Sequence, residues 1–506
     1  MKANRSVFFI CAISILFLRF YYFQYDYIPR YAPIDDNLFL SAASFYVSSD
    51  NIYSPYILSK FPSFPLLLAF LNEFSISYFL FLHGSLIILF FFWIHSRYNK
   101  LSYLENLLIL VLVFFNPILF GADWLFVTRE PILLICLLAL ILLAMELEKK
   151  FLCLSTFIFF ATLTFTFFLR EEILPIYLII STFILYINHS LNKINLIKFI
   201  LIPIALFMFT AQVIIDRNYK NFGVSVLSDN IDGSFPKMVS ALSDIPTNSL
   251  HYPNVAITIA QIKKAKELSP TFNNIYPELP TTSYKKRPYD CFFYESCNEI
   301  SIGYLIWWLK DIDYQFPPSL VDQQLTFEMI TEEINSECLR SNLKCKSQRF
   351  PFIYHLSRFA NDFMNLVIHF IFYAPDFSHE QLERNYTSKD YQSIMIDNPL
   401  HTEQSLFLSQ TQVKTTFFIL LTFVGSFMYL YSLLGVLYFT FFRRNILISS
   451  YSINFHAFII CYIISLAGFS VIAGPFEFRM IMPLLLVTFF FSYQSFKEIL
   501  CLNLQK

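Results

Sequence analysis

Ten apolar stretches recur along this chain, at residues 6–23, 76–95, 102–120, 130–147, 151–169, 173–188, 198–215, 415–441, 453–474 and 479–497. A bilayer core about 30 Å thick takes roughly 20 mostly apolar residues in a helix, so stretches of this kind read as membrane spans. Composition agrees: 56% of residues are apolar and only 14% charged, with 62 Phe, where soluble domains carry about 25% charge. Lys and Arg (36) nearly balance Asp and Glu (37), so there is no basic excess to hold nucleic acid. The fold class expected is an all-α polytopic membrane protein of about ten transmembrane helices. The shorter run at 63–72 reads as an interfacial or re-entrant piece.

Basic residues orient such spans. Lys2 and Arg5, Arg97 and Lys100, Lys149 and Lys150, Lys193 and Lys198, Arg443 and Arg444, and Lys497 fall on one side of a ten-span count. The positive-inside rule makes that side cytoplasmic and puts both termini there. The start resembles a signal peptide, but Arg19-Phe-Tyr-Tyr-Phe-Gln-Tyr follows it in place of small residues, which reads as a retained anchor. Three regions are expected: 1–215 with seven spans and a first outer loop at 24–75, a large outer domain at 216–413 of mixed or mainly helical structure, and 414–506 with three spans. Asn254–Leu268 and Leu320–Arg340 are the helix-like stretches of the outer domain. Four of the nine cysteines lie in it as close pairs, Cys291 with Cys297 and Cys338 with Cys345. An even number on the outer side suggests two disulfides, with the connectivity open. The spacings are poor for zinc, and no His is interleaved.

The first outer loop carries the most informative residues: Pro33-Ile-Asp35-Asp36-Asn-Leu-Phe39-Leu-Ser-Ala-Ala43-Ser44-Phe-Tyr46, then Tyr53-Ser54-Pro55 and Phe61-Pro-Ser-Phe-Pro-Leu-Leu67. An Asp pair at the head of a helix-prone run is favoured by the helix dipole alone, and it also supplies a base. Further charges stand at the outer ends of spans: Arg129-Glu130, Arg170-Glu171-Glu172 and Glu477-Phe-Arg479. Ionisable groups at membrane depth are costly and mark sites, although each Arg can also snorkel or pair with its Glu neighbour. Lys285-Lys286-Arg287 reads as a solvated turn and Trp307-Trp308 as an interface anchor. His355, His369, His379 and His401 show no ligand spacing with carboxylates. Neither a P-loop nor a dinucleotide, zinc-protease or serine-hydrolase motif occurs.

The order of Asp35-Asp36, Phe39, Ala43-Ser44 and Tyr46, with the later Tyr-Ser-Pro and Pro-rich run, resembles the membrane glycosyltransferases of the GT-C fold, among them protein O-mannosyltransferases and lipid A aminoarabinose transferases. In length and layout the chain is similar to the phage-encoded, serotype-converting O-antigen glucosyltransferases of enteric bacteria. The resemblance implies a GT-C-like helical fold in the bacterial inner membrane with a periplasmic site. It implies an inverting transfer of a hexose, glucose on the narrower resemblance, from undecaprenyl phosphate to O-antigen repeat units. The donor is then a polyprenyl-phosphate-linked sugar, and the acceptor a polysaccharide or lipid-linked oligosaccharide. Asp35 matches the catalytic base, with Asp36 as the fallback. Arg479, Arg129 and Arg170 are candidates for the donor phosphate, supported by Glu130, Glu171 and Glu477. No cofactor is required, and no ligand cluster supports a divalent metal. The chemistry is consistent: a base must meet the acceptor hydroxyl, and cations must meet the departing phosphate. An O-antigen polymerase is the alternative from the same class of chemistry, and a lipid-linked glycan flippase or transporter is the alternative from another. The transporter would call for inverted repeats or broken helices, and neither is evident.

Overall fold

A computed structural model describes residues 2–22, 36–47, 57–114, 129–146, 154–169, 193–246, 257–277, 319–345, 427–439 and 482–504, apart from short gaps within them, and isolated positions at 359–364 and 452–467. These residues are mostly helical. In chain order the helices are α1 (Lys2–Tyr22), α2 (Asp36–Val47), α3 (Ser63–Glu73), α4 (Tyr78–His95), α5 (Tyr103–Phe114), α6 (Arg129–Glu146), α7 (Leu154–Leu169), α8 (Lys193–Phe222), α9 (Ser234–Ser243), α10 (Ile259–Leu268), α11 (Pro270–Ile275), α12 (Leu320–Arg340) and α13 (Met482–Leu504).

The expectation of about ten transmembrane helices in a GT-C-like arrangement is corrected by these helices. Among the described residues, only Leu201–Phe222 of α8 is long and apolar enough to cross a membrane by length and composition. The other apolar helices are shorter: Arg5–Leu18, Ser63–Glu73, Leu80–His95, Tyr103–Phe114, Thr156–Leu169 and Phe427–Phe439. The physical reason is that, among the described residues, apolar runs give less uninterrupted apolar helix than their length in sequence suggests. Within 102–120 the described helix is Tyr103–Phe114, 12 residues, about 18 Å long at 1.5 Å per residue. The 18 residues of α6 include Arg129, Glu130 and Glu146. Much of the apolar content goes instead into contact between helices.

α6 is the centre of that packing and lies against α4, α7 and α13. Ile132, Leu133, Leu134, Leu137, Leu138, Leu140 and Leu142 are all buried, so the helix is enclosed on every side, as befits one that is hydrophobic all round. Rings lock its neighbours: Phe90 meets Phe114 edge-on, Trp93 meets Phe491 of α13, and Phe168 stacks on Phe207 of α8. α8 differs, because Leu201, Ile204, Met208, Phe209 and Val213 are exposed. At one end of α4, Tyr78 touches Phe64. Towards the other end, Phe91 stacks on Phe9 of α1, and Phe8 reaches Tyr103 of α5. There Lys497 of α13 pairs with Glu105 at 2.7 Å.

Helices α9–α12 form a unit around Phe235, Met238, Leu242, Ile262, Phe272, Phe327, Ile330 and Ile334. Their starts are set by capping. Thr258 and Gln261 close a capping box on α10, and the Gln261 amide also donates to the carbonyls of Ser243 and Ile245 at the end of α9. Glu333 of α12 accepts from the backbone N–H of Thr271 and from the hydroxyls of Ser269 and Thr271 at the head of α11. Ser319 caps α12, and Cys338 near its end is disulfide-bonded to Cys345. Cys291 and Cys297 lie outside the described residues.

This unit is sewn to the first loop. Ala42 of α2, Ile57 and Leu58 share a core with Phe222, Val224, Val226 and Leu320. The backbone N–H of Asp229 donates to the Leu58 carbonyl at 2.8 Å, and Gln324 donates to the Asp229 carboxylate and accepts from the N–H of Ser234. Gly233 makes the close approach, with φ of +93°; a Cβ there would stand 2.8 Å from Val226 Cγ1 and 2.9 Å from Gln324 Oε1. Gly233→Ala is expected to cost about 2–3 kcal/mol through that strained backbone and crowding. In contrast, Gly84→Ala, where a Cβ meets nothing within 4 Å, should be neutral or slightly stabilising. Thermal unfolding of the two purified variants compares them, and equal melting points would refute the seam.

Candidate functional site

Asp36 opens α2, and Asp35 precedes it outside the described residues. One turn into the helix, Phe39 is buried and serves as the hub of this region. Phe64 of α3 meets it edge-on at 4.9 Å between ring centroids. On another side, the guanidinium of Arg129 lies 5.3 Å from its centroid, within the range of a cation–π contact. Arg129 is the first residue of α6, and its Nη1 donates to the carbonyl of Leu169 at 3.1 Å. Leu169 is the last described residue of α7. Arg129 thus meets the Leu169 carbonyl with one N–H and lies over the Phe39 ring.

Three helices meet at this one side chain: α2 through Phe39, α6 through Arg129 itself, and α7 through the Leu169 carbonyl. Both Arg129 and Glu130 are buried, at 4% and 3% exposure, so the pair is enclosed and not snorkelling into water. The Glu130 carboxylate in the first turn of α6 is favoured by the helix dipole, and the Arg129 guanidinium there is not. The loop ahead of α3 is fixed to the same place, since Phe61 contacts both Phe167 and Phe168 near the end of α7. Arg170, Glu171, Glu477 and Arg479 lie outside the described residues.

The far end of α2 holds a second cation that sequence reasoning passed over. Arg217 of α8 sits 4.3 Å from the ring centroid of Tyr46. Phe45 packs beside it on Phe222, at 5.3 Å. Burial pushes the Tyr46 phenol above its ordinary pKa, while Arg217 pulls it the other way, and the net rise keeps the hydroxyl protonated at neutral pH. The signal for Arg217 was present in the sequence: it follows the apolar run 198–215 just as Arg129 and Arg170 flank theirs. Phe39 and Tyr46 are seven residues apart, two turns of one helix face, so α2 carries a guanidinium over an aromatic ring near each end.

Among the described residues, no group of three or more His, Cys, Asp or Glu side chains could hold a metal ion. No protein-family model matches the chain, and neither a curated protein nor a solved structure matches it.

Proposed function

We propose that this chain is a membrane glycosyltransferase that moves a hexose from a polyprenyl phosphate to a surface-glycan acceptor. The observation that supports it is the Arg129–Phe39 contact. It joins α2, the helix that Asp36 begins, to the buried Arg129-Glu130 start of α6. A carboxylate base and a cluster of guanidinium groups are the two chemical needs of such a transfer.

In this reading Asp35 takes the proton from the acceptor hydroxyl as that oxygen attacks the anomeric carbon. Asp36 holds the neighbouring charge at the start of α2. Arg170 and Arg479 meet the phosphate as the sugar–phosphate bond breaks and the phosphate takes the bonding electrons. Arg129, held by Leu169 and Phe39, fixes α2 relative to α6 and adds its positive charge to the site. Displacement from the face opposite the phosphate inverts the anomeric centre. The donor is the undecaprenyl-phosphate sugar, glucose on the narrower resemblance, and the acceptor an O-antigen repeat unit. The site faces the periplasm of a bacterial inner membrane, and both termini are cytoplasmic.

The test is expression of the full chain in an enteric host that supplies undecaprenyl-phosphate glucose, followed by mass spectrometry of the surface polysaccharide. One hexose gained per repeat unit is the expected result. Unchanged polysaccharide, with the protein present in the membrane and the donor shown to be made, would overturn the reading.

A further inference from the structure

Arg217 differs from Arg129 in the way that matters for binding. It is partly exposed, and among the described residues its guanidinium has one contact, the face of Tyr46. The adjacent carboxylate of Asp216 is occupied by the Gln212 amide at 2.7 Å. Asn218, on the other side, donates to the Val226 carbonyl at 2.8 Å and so fixes the end of α8. A guanidinium centred 4.3 Å over a ring and partly exposed retains N–H donors whose fork matches phosphate oxygens.

Its depth is also suited to a lipid-borne group. Arg217 is 16 residues past Leu201 in the one helix, among the described residues, that is long and apolar enough to cross a membrane. That is about 24 Å along the axis at 1.5 Å per residue, which is close to the edge of a hydrocarbon slab about 30 Å thick. A phosphate on a polyprenyl chain lies at that edge. Along α2, Tyr46 is ten residues beyond Asp36, about 15 Å, so Arg217 stands at the opposite end of α2 from the Asp pair.

We propose that Arg217, stacked on Tyr46, binds the phosphate of a polyprenyl-linked substrate at the membrane edge. The proposal rests on the polyprenyl-phosphate reading above. That phosphate belongs either to the monophosphate donor or to the diphosphate carrier of a lipid-linked acceptor. Both present the same oxygens to the same fork.

Binding separates the sources and needs no transfer, so its failure is distinct from failure of the glycosyltransferase reading. The full chain is placed in phosphatidylcholine nanodiscs and titrated with farnesyl phosphate, farnesyl diphosphate and farnesol, with intrinsic fluorescence as the readout. Arg217→Gln is expected to weaken one or both phosphates about ten-fold, in line with the loss of a charge-assisted bond, and to leave farnesol unchanged. A loss confined to the monophosphate assigns the donor, and a loss confined to the diphosphate assigns the acceptor carrier. Should the Gln variant fail to accumulate, Arg217→Lys keeps the charge without the planar fork and carries the test with a loss of a few-fold. Equal affinity of wild type and variant for both phosphates overturns the proposal. So does a difference that vanishes when phosphatidylglycerol is added to the disc, because Arg217 would then be reading bulk headgroups.

Discussion

Replacing Asp35 by Asn should reduce sugar transfer by roughly a hundred- to ten-thousand-fold, the range for loss of a general base, while the protein still reaches the membrane at its normal level. Asn keeps the size and hydrogen-bonding reach of the side chain and removes only its capacity to take a proton. A helix-capping role predicts something different, because Asn caps a helix about as well as Asp does. Asp35→Ala then separates the roles further: a cap costs about 1 kcal/mol of stability with transfer retained, and a base costs transfer with little stability. Asp36→Asn should have a milder effect, since that residue opens α2 and its charge mainly favours the helix start. Initial transfer rates from membranes normalised for protein decide among these outcomes. Wild-type rates in Asp35→Asn would remove the base assignment.

Arg129→Ala should be the most destabilising change at the site, by about 2–4 kcal/mol, with transfer falling alongside. The arithmetic follows from what the side chain holds. Removing it leaves the Leu169 carbonyl without that donor in a buried place, a cost of about 1–3 kcal/mol. It also removes a cation from the Phe39 face, about 0.5–2 kcal/mol, and leaves the Glu130 carboxylate, 3% exposed, next to a cavity. Arg129→Met, which refills the volume with an apolar chain, should recover part of the stability and none of the charge. The midpoint of thermal unfolding in detergent, followed by size-exclusion elution, measures the first effect. If Arg129→Ala melts like wild type yet has lost transfer, Arg129 touches the substrate and does not fix α2. Arg217→Gln, by contrast with the destabilisation expected of Arg129→Ala, loses one ring contact and should leave stability nearly unchanged.

The sequence made some of this legible and hid the rest for identifiable reasons. Charges at the ends of apolar runs stand out because burying them is costly, and the structure places Arg129 and Asp36 at the ends of helices. The helix Leu320–Arg340 has the bounds that the pattern suggests, with Ser319 marking its start. The stretch from Asn254 was read too long, since the capping box at Thr258 sets the start of α10 at Ile259. The number of spans failed because, among the described residues, only Leu201–Phe222 combines the length and the apolar composition of a span. The 18 residues from Arg129 to Glu146 carry three charges that a count of apolar residues passes over. The meeting of Phe39 and Arg129 joins residues 90 apart in a chain with no periodic signal linking them. Arg217 stands at the end of the apolar run 198–215 as the other arginines do, but the Tyr46 ring beside it comes from a helix about 170 residues earlier and has no signal in the sequence.

The shared core of Ala42, Ile57 and Leu58 with Val224, Val226 and Leu320 puts a clock on maturation. During synthesis the chain that carries α2 emerges early, but the residues that hold it down emerge up to 262 positions after Leu58. At roughly 5–20 residues per second, that interval is on the order of tens of seconds. Through it the Asp-bearing helix lacks its far partners, so a newborn chain has its charged residues in place well before it has the geometry between them. Activity should therefore lag behind insertion, and a chain stopped short of Leu320 should be inserted but inert.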